Sequence, residues 1–328
     1  REWVPHSGWP FGFEELASAY ERARQISHLA LTDDELVAQE ERLRLEGRSW
    51  WGAGLDVRFF DRQWGSYAGL NRAELVENPR VTVLLDATAT ALEVEDSGRS
   101  VASVSCRTSA GRRFAVKASH FVLAGGGIEN PRLLLLSDSV HTSGLGNRHG
   151  LVGRFFMDHP YVDGGVVRAG RLPSSFLGGE TPDASNQQHA LLVASRSFQE
   201  RNGAGGAAVY FVERPGYMAS AHNHSAALRS IRAIRAARRL GQPLRLAARL
   251  RQVAPGVGHV VAHSARRGVY VVRPSSRTVA RMVIEPMPNP ASRVTLSSNR
   301  DSHGLRQAAV HWRLGDADRD TYEQFSVA

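Results

Sequence analysis

The stretch from His120 to Pro160 reads HFVLAGGGIENPRLLLLSDSVHTSGLGNRHGLVGRFFMDHP. A β-patterned run, His120 to Ala124, meets three glycines and then an apolar helical pattern from Ile128 to Leu136. Strand, glycine turn and helix follow one another here. The first turn of such a helix has amide groups without intrahelical partners, and it favours negative groups. The GxGxxG spacing of a dinucleotide fingerprint is absent from this stretch and from the rest of the chain.

Immediately upstream, Val81 to Ala124 alternates short β-patterned runs with tight turns: VTVLLDATATALEVE, SVASVSCRT, RFAVKA and HFVLA. The turns Asp96-Ser97-Gly98 and Ser109-Ala110-Gly111 supply residues that tolerate positive φ. The pattern predicts a β-meander feeding a buried strand, inside an α/β nucleotide domain.

Downstream of Pro160 the runs Tyr161 to Arg168, His189 to Ser195, Ala207 to Glu213, Gly268 to Arg273, Arg277 to Pro286 and Arg293 to Ser297 read as strands. Most lack a crossover helix between them, which predicts an antiparallel sheet. Ser225 to Arg251 reads as a helix broken near Gly241-Gln242-Pro243, and a last helix starts near Asp316, whose carboxylate suits an N-cap. Arg171 to Gln188, rich in Gly, Pro, Ser and Asn, reads as a loop or lid. At the amino end, Phe13 to Gln25 has helical periodicity, Thr32 and Glu35 form a capping box before a second helix, and Gly47 stops that helix. The expected class is α/β, α+β overall: residues 1–155, 156–315 and 316–328 form a nucleotide domain with a helical leader, an antiparallel-sheet domain and the start of a further segment.

The 328 residues are 42% hydrophobic and 22% charged, with no apolar run long enough to cross a bilayer. Cys106 is the only cysteine, which excludes an intrachain disulfide and a thiolate metal cluster and favours a reducing, cytoplasmic setting. The formal charge of +9 is uneven: Arg214 to Ile284 holds 14 arginines and no acid, leaving 27 basic against 32 acidic residues elsewhere. Lys117 is the only lysine, so the arginine excess reflects a residue habit as much as a nucleic-acid footprint.

Four segments in order resemble the glucose-methanol-choline (GMC) family of flavin-dependent oxidoreductases, in particular its bacterial branch acting on sugars and polyols. They are VPHSGWPFGFEELASAYERA, NPRVTVLLDATATALE, VLAGGGIENPRLLLL with GLGNRHGLVGRFFMDHP, and EPMPNPASRVTLSSNRDSHGL. The resemblance implies a partial Rossmann-like FAD domain with a meander, joined to a substrate domain built on an antiparallel sheet. It implies FAD as cofactor, an alcohol or sugar as substrate, and an electron acceptor left open among oxygen, a quinone and a cytochrome. Residue by residue, it places the backbone of Ala89 against the FAD adenine and puts Ala124 and Gly125 near the adenosine half. Glu129 and Asn130 fall in the first helical turn facing the same end. Gly125 stands where the family more often has alanine. The family's GxGxxG unit is expected before Arg1 and its active-site histidine after Ala328, so no catalytic residue maps to this chain. The isolated chain is expected to bind FAD weakly or not at all and not to turn over.

Other candidates have plainer readings. Asp158-His159 reads as a loop anchor rather than a catalytic pair. The pairs His222 and His224, and His259 and His263, lack a nearby Cys, Asp or Glu and read as surface histidines. The arginines from Arg229 to Arg251 form a solvated helical face or, alternatively, a contact for an acidic partner or membrane surface. With almost no aromatic residues there, no specific nucleic-acid binding is expected. That contact underlies the competing function, a non-catalytic binding or scaffold protein.

Overall fold

The computed structural model describes residues 1–29, 31–47, 54–61, 66–95, 97–167, 188–214 and 277–327. The fold is mixed α/β; the described residues form helices and three sheets whose assigned strand pairs are antiparallel. The chain falls into two compact units: Arg1–Val162 with Pro182–Val209 and Met282–Ala328, and Asp163–Thr181 with Tyr210–Arg281. Among the described residues no helix is long and apolar enough to cross a membrane.

The first unit opens with a 3-10 turn, Phe13–Glu15, and helix α1, Ala17–Ile26. Helix α2, Asp33–Gly47, starts at the expected capping box: the Thr32 amide and hydroxyl both donate to the Glu35 carboxylate at 2.8 Å, and the Glu35 amide donates back to the Thr32 hydroxyl at 3.3 Å. Those bonds hold the Glu35 carboxyl below its ordinary range. Strand β1, Leu55–Asp61, alternates as a half-buried strand should, with Val57 and Phe59 buried. Glu40 of α2 is buried beside it, accepting from the Phe59 amide at 3.0 Å and from Arg58 at 2.8 Å. The carboxylate thus supplies the edge strand with an acceptor and a counter-charge. Two short helices follow, α3 at Tyr67–Leu70 and α4 at Arg72–Glu77.

The meander is present as β2, Thr88–Val94, β3, Val101–Arg107, and β4, Arg113–Val116, in the order β2-β3-β4. Gly98 and Gly111 hold its two turns at φ 68° and 87°, as the turn chemistry requires. The flanking runs depart from expectation. Val81 to Ala87, which bends at Asp86 with φ 52°, and His120 to Ala124 are not strands, because among the described residues no neighbouring strand exchanges hydrogen bonds with them. Both therefore expose apolar side chains, with Leu85 at 84% and Val122 at 88%. Helix α5, Gly126–Leu136, leaves the second run as predicted.

Strands β5, Tyr161–Val167, β6, Gln188–Ala194, β7, Ala207–Arg214, and β8, Arg277–Ile284, form with β1 the order β1-β6-β7-β8-β5. β1 pairs antiparallel with β6, Val57 opposite Leu192, and β6 with β7, Leu192 opposite Val209. Between β6 and β7 lies α6, Arg196–Asn202, capped by the Ser195 hydroxyl and ended by Gly203 in the left-handed region. Phe198 of α6 joins Ala194, Ala204, Met282, Ile284 and Phe325 in a buried cluster, its ring edge-on to Phe325 at 6.2 Å. Strands β9, Arg293–Arg300, and β10, Arg306–His311, make a separate antiparallel hairpin. In the second unit, Arg281 Nε donates to Asp163 at 2.9 Å.

The final helix, α7, spans Asp316–Ser326, but its N-cap is Gly315 rather than Asp316. Asp318 takes the capping role from inside the first turn: its carboxylate accepts from the amides of Gly315 and Met287, both at 2.6 Å. It is nearly fully buried there. The expected strand at Gly268 to Arg273, the arginine-rich helix at Ser225 to Arg251 and His222, His224, His259 and His263 lie outside the described residues. So does the loop from Arg171 to Gln188, apart from Gln188 itself, which begins β6.

Candidate functional site

The turn into α5 is built by its own side chains. Gly125 Cα has φ −82°, accessible to any residue, yet a Cβ there would lie 3.0 Å from Asn130 Oδ1. Asn130 reaches back over the turn: Oδ1 accepts from the Gly125 amide at 2.7 Å and Nδ2 donates to the Leu123 carbonyl at 3.1 Å. What a side chain at 125 would meet is thus the asparagine clasp, which would have to shift by a few tenths of an ångström, and not a backbone restriction. Gly126, at φ 85°, needs glycine for the conformation itself. No side chain caps the helix, and nothing lies within 4 Å of where Cβ atoms of Gly126 or Gly127 would be. The first amides of α5 therefore open onto free space, with the partial positive charge of a helix start.

Glu129 stands in that first turn with its side chain 58% exposed, held from behind by Arg132 Nη1 at 3.0 Å. Arg132 is itself well buried and reaches the β9–β10 hairpin, donating from Nη2 to Asp301 at 2.5 Å and from Nε to the Arg306 carbonyl at 2.9 Å. Burial works against charge on Arg132, but its bonds to Asp301 and Glu129 outweigh burial and raise its pKa further. Asp301 also caps its own turn, accepting from the amides of His303 at 2.8 Å and Leu305 at 3.0 Å. At its other end α5 is tied to the meander: Ser137, 2% exposed, accepts from the Leu92 amide at 2.8 Å and donates to the Leu133 carbonyl at 2.7 Å.

Ala89 lies at the exposed start of β2, opposite Cys106, where a bulge separates it from Ala91. Ala124 ends the run from His120 and is exposed, not the terminus of a paired strand as expected. The five residues singled out from the sequence thus belong to two neighbouring pieces: Ala124, Gly125, Glu129 and Asn130 form one turn, and Ala89 is on the strand that Ser137 fastens to the same helix. Sequence reasoning missed Arg132, Asp301 and Ser137. A helical Arg three residues after Glu129 is a readable pairing signal; the contact with Asp301, 169 residues away, has none.

Residues 57–161, from β1 to the start of β5, match the model of the GMC oxidoreductase family. Over this stretch, about a third of its length, the chain is similar to GMC oxidoreductases. A curated relative, the 2-methyl-1,2-propanediol dehydrogenase of Mycolicibacterium austroafricanum, is 37% identical over 78 residues, which is 23% of this chain and 14% of that protein. The aligned stretch is thus a small part of the relative's length.

The GMC oxidoreductase match covers the meander, the glycine turn and the loop ending in GLVGRFFMDHP. Gly153 of that loop has φ 80°, and a Cβ there would meet the Val294 carbonyl oxygen; the Val294 amide donates to the Gly153 carbonyl at 2.8 Å. The motif glycine is what lets the loop lie against β9. His159 does not anchor this loop as expected. Only its amide is bound, to the Asp158 carboxylate at 2.8 Å, and the ring makes no hydrogen bond among the described residues. GMC oxidoreductases in general bind FAD. The residues present fit one edge of such a group: the uncapped α5 amides, the exposed Glu129 carboxylate as an acceptor, and the exposed backbone at Ala89. No group of three or more His, Cys, Asp or Glu residues among those described is arranged to hold a metal.

Proposed function

We propose that this chain supplies the adenosine-side wall of an FAD site in an oxidoreductase that oxidises a CH–OH group of a sugar, polyol or other alcohol. The observation that carries the reading is the uncapped start of α5, clasped by Asn130 and facing open space, within the segment that matches the family. Glu129 is assigned as the acceptor for adenosine hydroxyls, Ala89 as a backbone contact to adenine, and Ala124 and Gly125 as the close approach. Asn130 shapes the turn, since both ends of its amide are already bonded. When bound, FAD would take up the hydride; no residue of this chain is assigned as the base. In this reading residues 1–155 are the FAD-binding part and 156–315 the substrate-binding part. The runs Val81 to Ala87 and His120 to Ala124 become strands once neighbouring strands pair with them. Their exposed β-branched and leucine side chains support this.

The test uses adenosine, which carries no oxyanion, titrated into the 328-residue chain and followed by saturation-transfer NMR. Weak binding that Glu129→Ala reduces and Asp320→Asn leaves alone is expected. Adenosine binding unaffected by Glu129→Ala would remove the assignment of the site. A longer natural gene product carrying neither flavin absorbance nor dye-linked alcohol oxidation would remove the activity.

A further inference from the structure

A cleft of about 330 Å³ opens within the first unit, between the loop that follows α5 and strand β9. Its charged lining residues are Asp138, Arg293 and Arg306. Arg306 is held flat across β9, donating from Nε to the Ser297 carbonyl at 3.0 Å and from Nη2 to the Leu296 carbonyl at 2.9 Å. Arg293 is half-buried, and among the described residues its guanidinium has no hydrogen bond and no ion pair. Asp138 likewise has no ion pair within the described residues, although it shares the cleft with both arginines. A guanidinium without a protein partner can give its donors to an anion. Among the described residues Arg293 is so placed, while Arg306 already gives Nε and Nη2 to β9.

Thr142, Ser143, Asn147 and Thr295 complete its polar lining, beside the apolar Leu135 and Val294. The Ser143 hydroxyl already donates to the Asn147 carbonyl at 3.4 Å, and the Thr295 hydroxyl lies 3.2 Å from His311 Nε2. Guanidinium forks match carboxylate and phosphate oxygens, while hydroxyls and amides match the hydroxyls of a polyol. With two cations against one anion the cleft is net positive.

We propose that this cleft binds a small hydroxylated oxyanion, of the sugar-acid or sugar-phosphate class. Arg293 grips the oxyanion with the Arg306 charge beside it, Thr142 and Asn147 take the ligand's hydroxyl groups, and Asp138 opposes the oxyanion as a like charge. The proposal is independent of the flavin reading, because none of these residues belongs to the α5 turn.

The experiment titrates the 328-residue protein with gluconate, glucose 6-phosphate and glucose, read by saturation-transfer NMR and calorimetry at low salt. At least one anion binds and glucose does not at the same concentration; the stronger of the two anions identifies the carboxylate or phosphate source. Arg293→Gln weakens binding about tenfold, the loss of one charge-assisted contact. Asp138→Asn strengthens it about two- to threefold by removing a like charge at a solvent-screened distance. Opposite signs from two lining residues are not produced by loss of structure, and Arg293→Lys keeps the charge should the glutamine variant melt early. Equal binding of glucose, no anion binding, unchanged affinity in Arg293→Gln and Arg293→Lys, or no gain in Asp138→Asn each overturns the proposal.

Discussion

Replacing Asp301 with alanine tests the link between the α5 turn and the distant hairpin. The carboxylate binds Arg132 at 2.5 Å and the amides of His303 and Leu305 at 2.8 and 3.0 Å. The two charged side chains are 13% and 22% exposed, so water screens the pair only in part. A charge-assisted hydrogen bond contributes about 1.5–3 kcal/mol, and stranding one partner of a buried pair costs about 3–5 kcal/mol. Arg132 keeps Glu129, and the two amides lie near water at the hairpin tip, so about 2–4 kcal/mol is expected. Asp301→Asn, which keeps an acceptor for the amides, loses about half as much. Burial by itself would raise the Asp301 carboxyl, but the Arg132 bond and the Leu305 and His303 amides outweigh it and hold it below its ordinary value near 3.8. A depressed carboxyl contributes its stability in full above that ordinary value and loses it as pH falls through the lower folded value. The gap between wild type and Asp301→Asn is therefore flat from pH 7 to about 4 and closes below it. Hydrogen exchange over residues 297–311, with urea unfolding alongside, reads both effects. A difference under about 0.5 kcal/mol at pH 7, or a gap that widens on acidification, refutes the reasoning.

Gly125→Ala is limited only by space at Asn130, so its cost falls when combined with Asn130→Ala, whereas Gly126→Ala loses about 1–2 kcal/mol with or without that second change; additive double mutants by thermal melts would contradict the clasp. Ser137→Ala strands the buried Leu92 amide and costs about 1–3 kcal/mol, visible as faster exchange at Leu92; unaltered exchange there would count against the tie. Val122→Lys alters the stability of this chain by less than about 0.5 kcal/mol, while Val57→Ala, at a fully buried position, costs about 2 kcal/mol; equal melts for the two would show that Val122 is covered. The α2 cap persists above the ordinary glutamate value of 4.5 and is lost as pH falls through the depressed Glu35 value, so helix circular dichroism drops below about pH 4.5 in wild type and shows no such step in Glu35→Ala.

Local chemistry was legible where it acts locally. The Thr32–Glu35 box, the Gly98 and Gly111 turns and the glycine start of α5 each depend on residues within a few positions of one another. The expected strands at Val81 to Ala87 and His120 to Ala124 show the converse. Apolar β-branched composition makes a segment suited to a sheet, but a strand exists only where a neighbour accepts its hydrogen bonds. β1 is legible in the alternation of Val57 and Phe59 with Arg58, although the run is short. Asp316 illustrates a finer limit: among three acids within five residues, the cap went to Asp318 because Met287, far away in the chain, supplied a second donor. In the candidate site the turn residues could be read, while Arg132 and Ser137 acquire their roles only from partners across the fold.

The span between Arg132 and Asp301 also sets a timetable. At roughly 5–20 residues per second on the ribosome, the 169 residues separating them take on the order of 10–35 s to synthesise. Throughout that interval α5 and its glycine turn have emerged without the hairpin that buries Arg132. Rare codons between residues 136 and 293 would lengthen the interval, and chaperone capture of nascent chains ending before Asp301 would measure it.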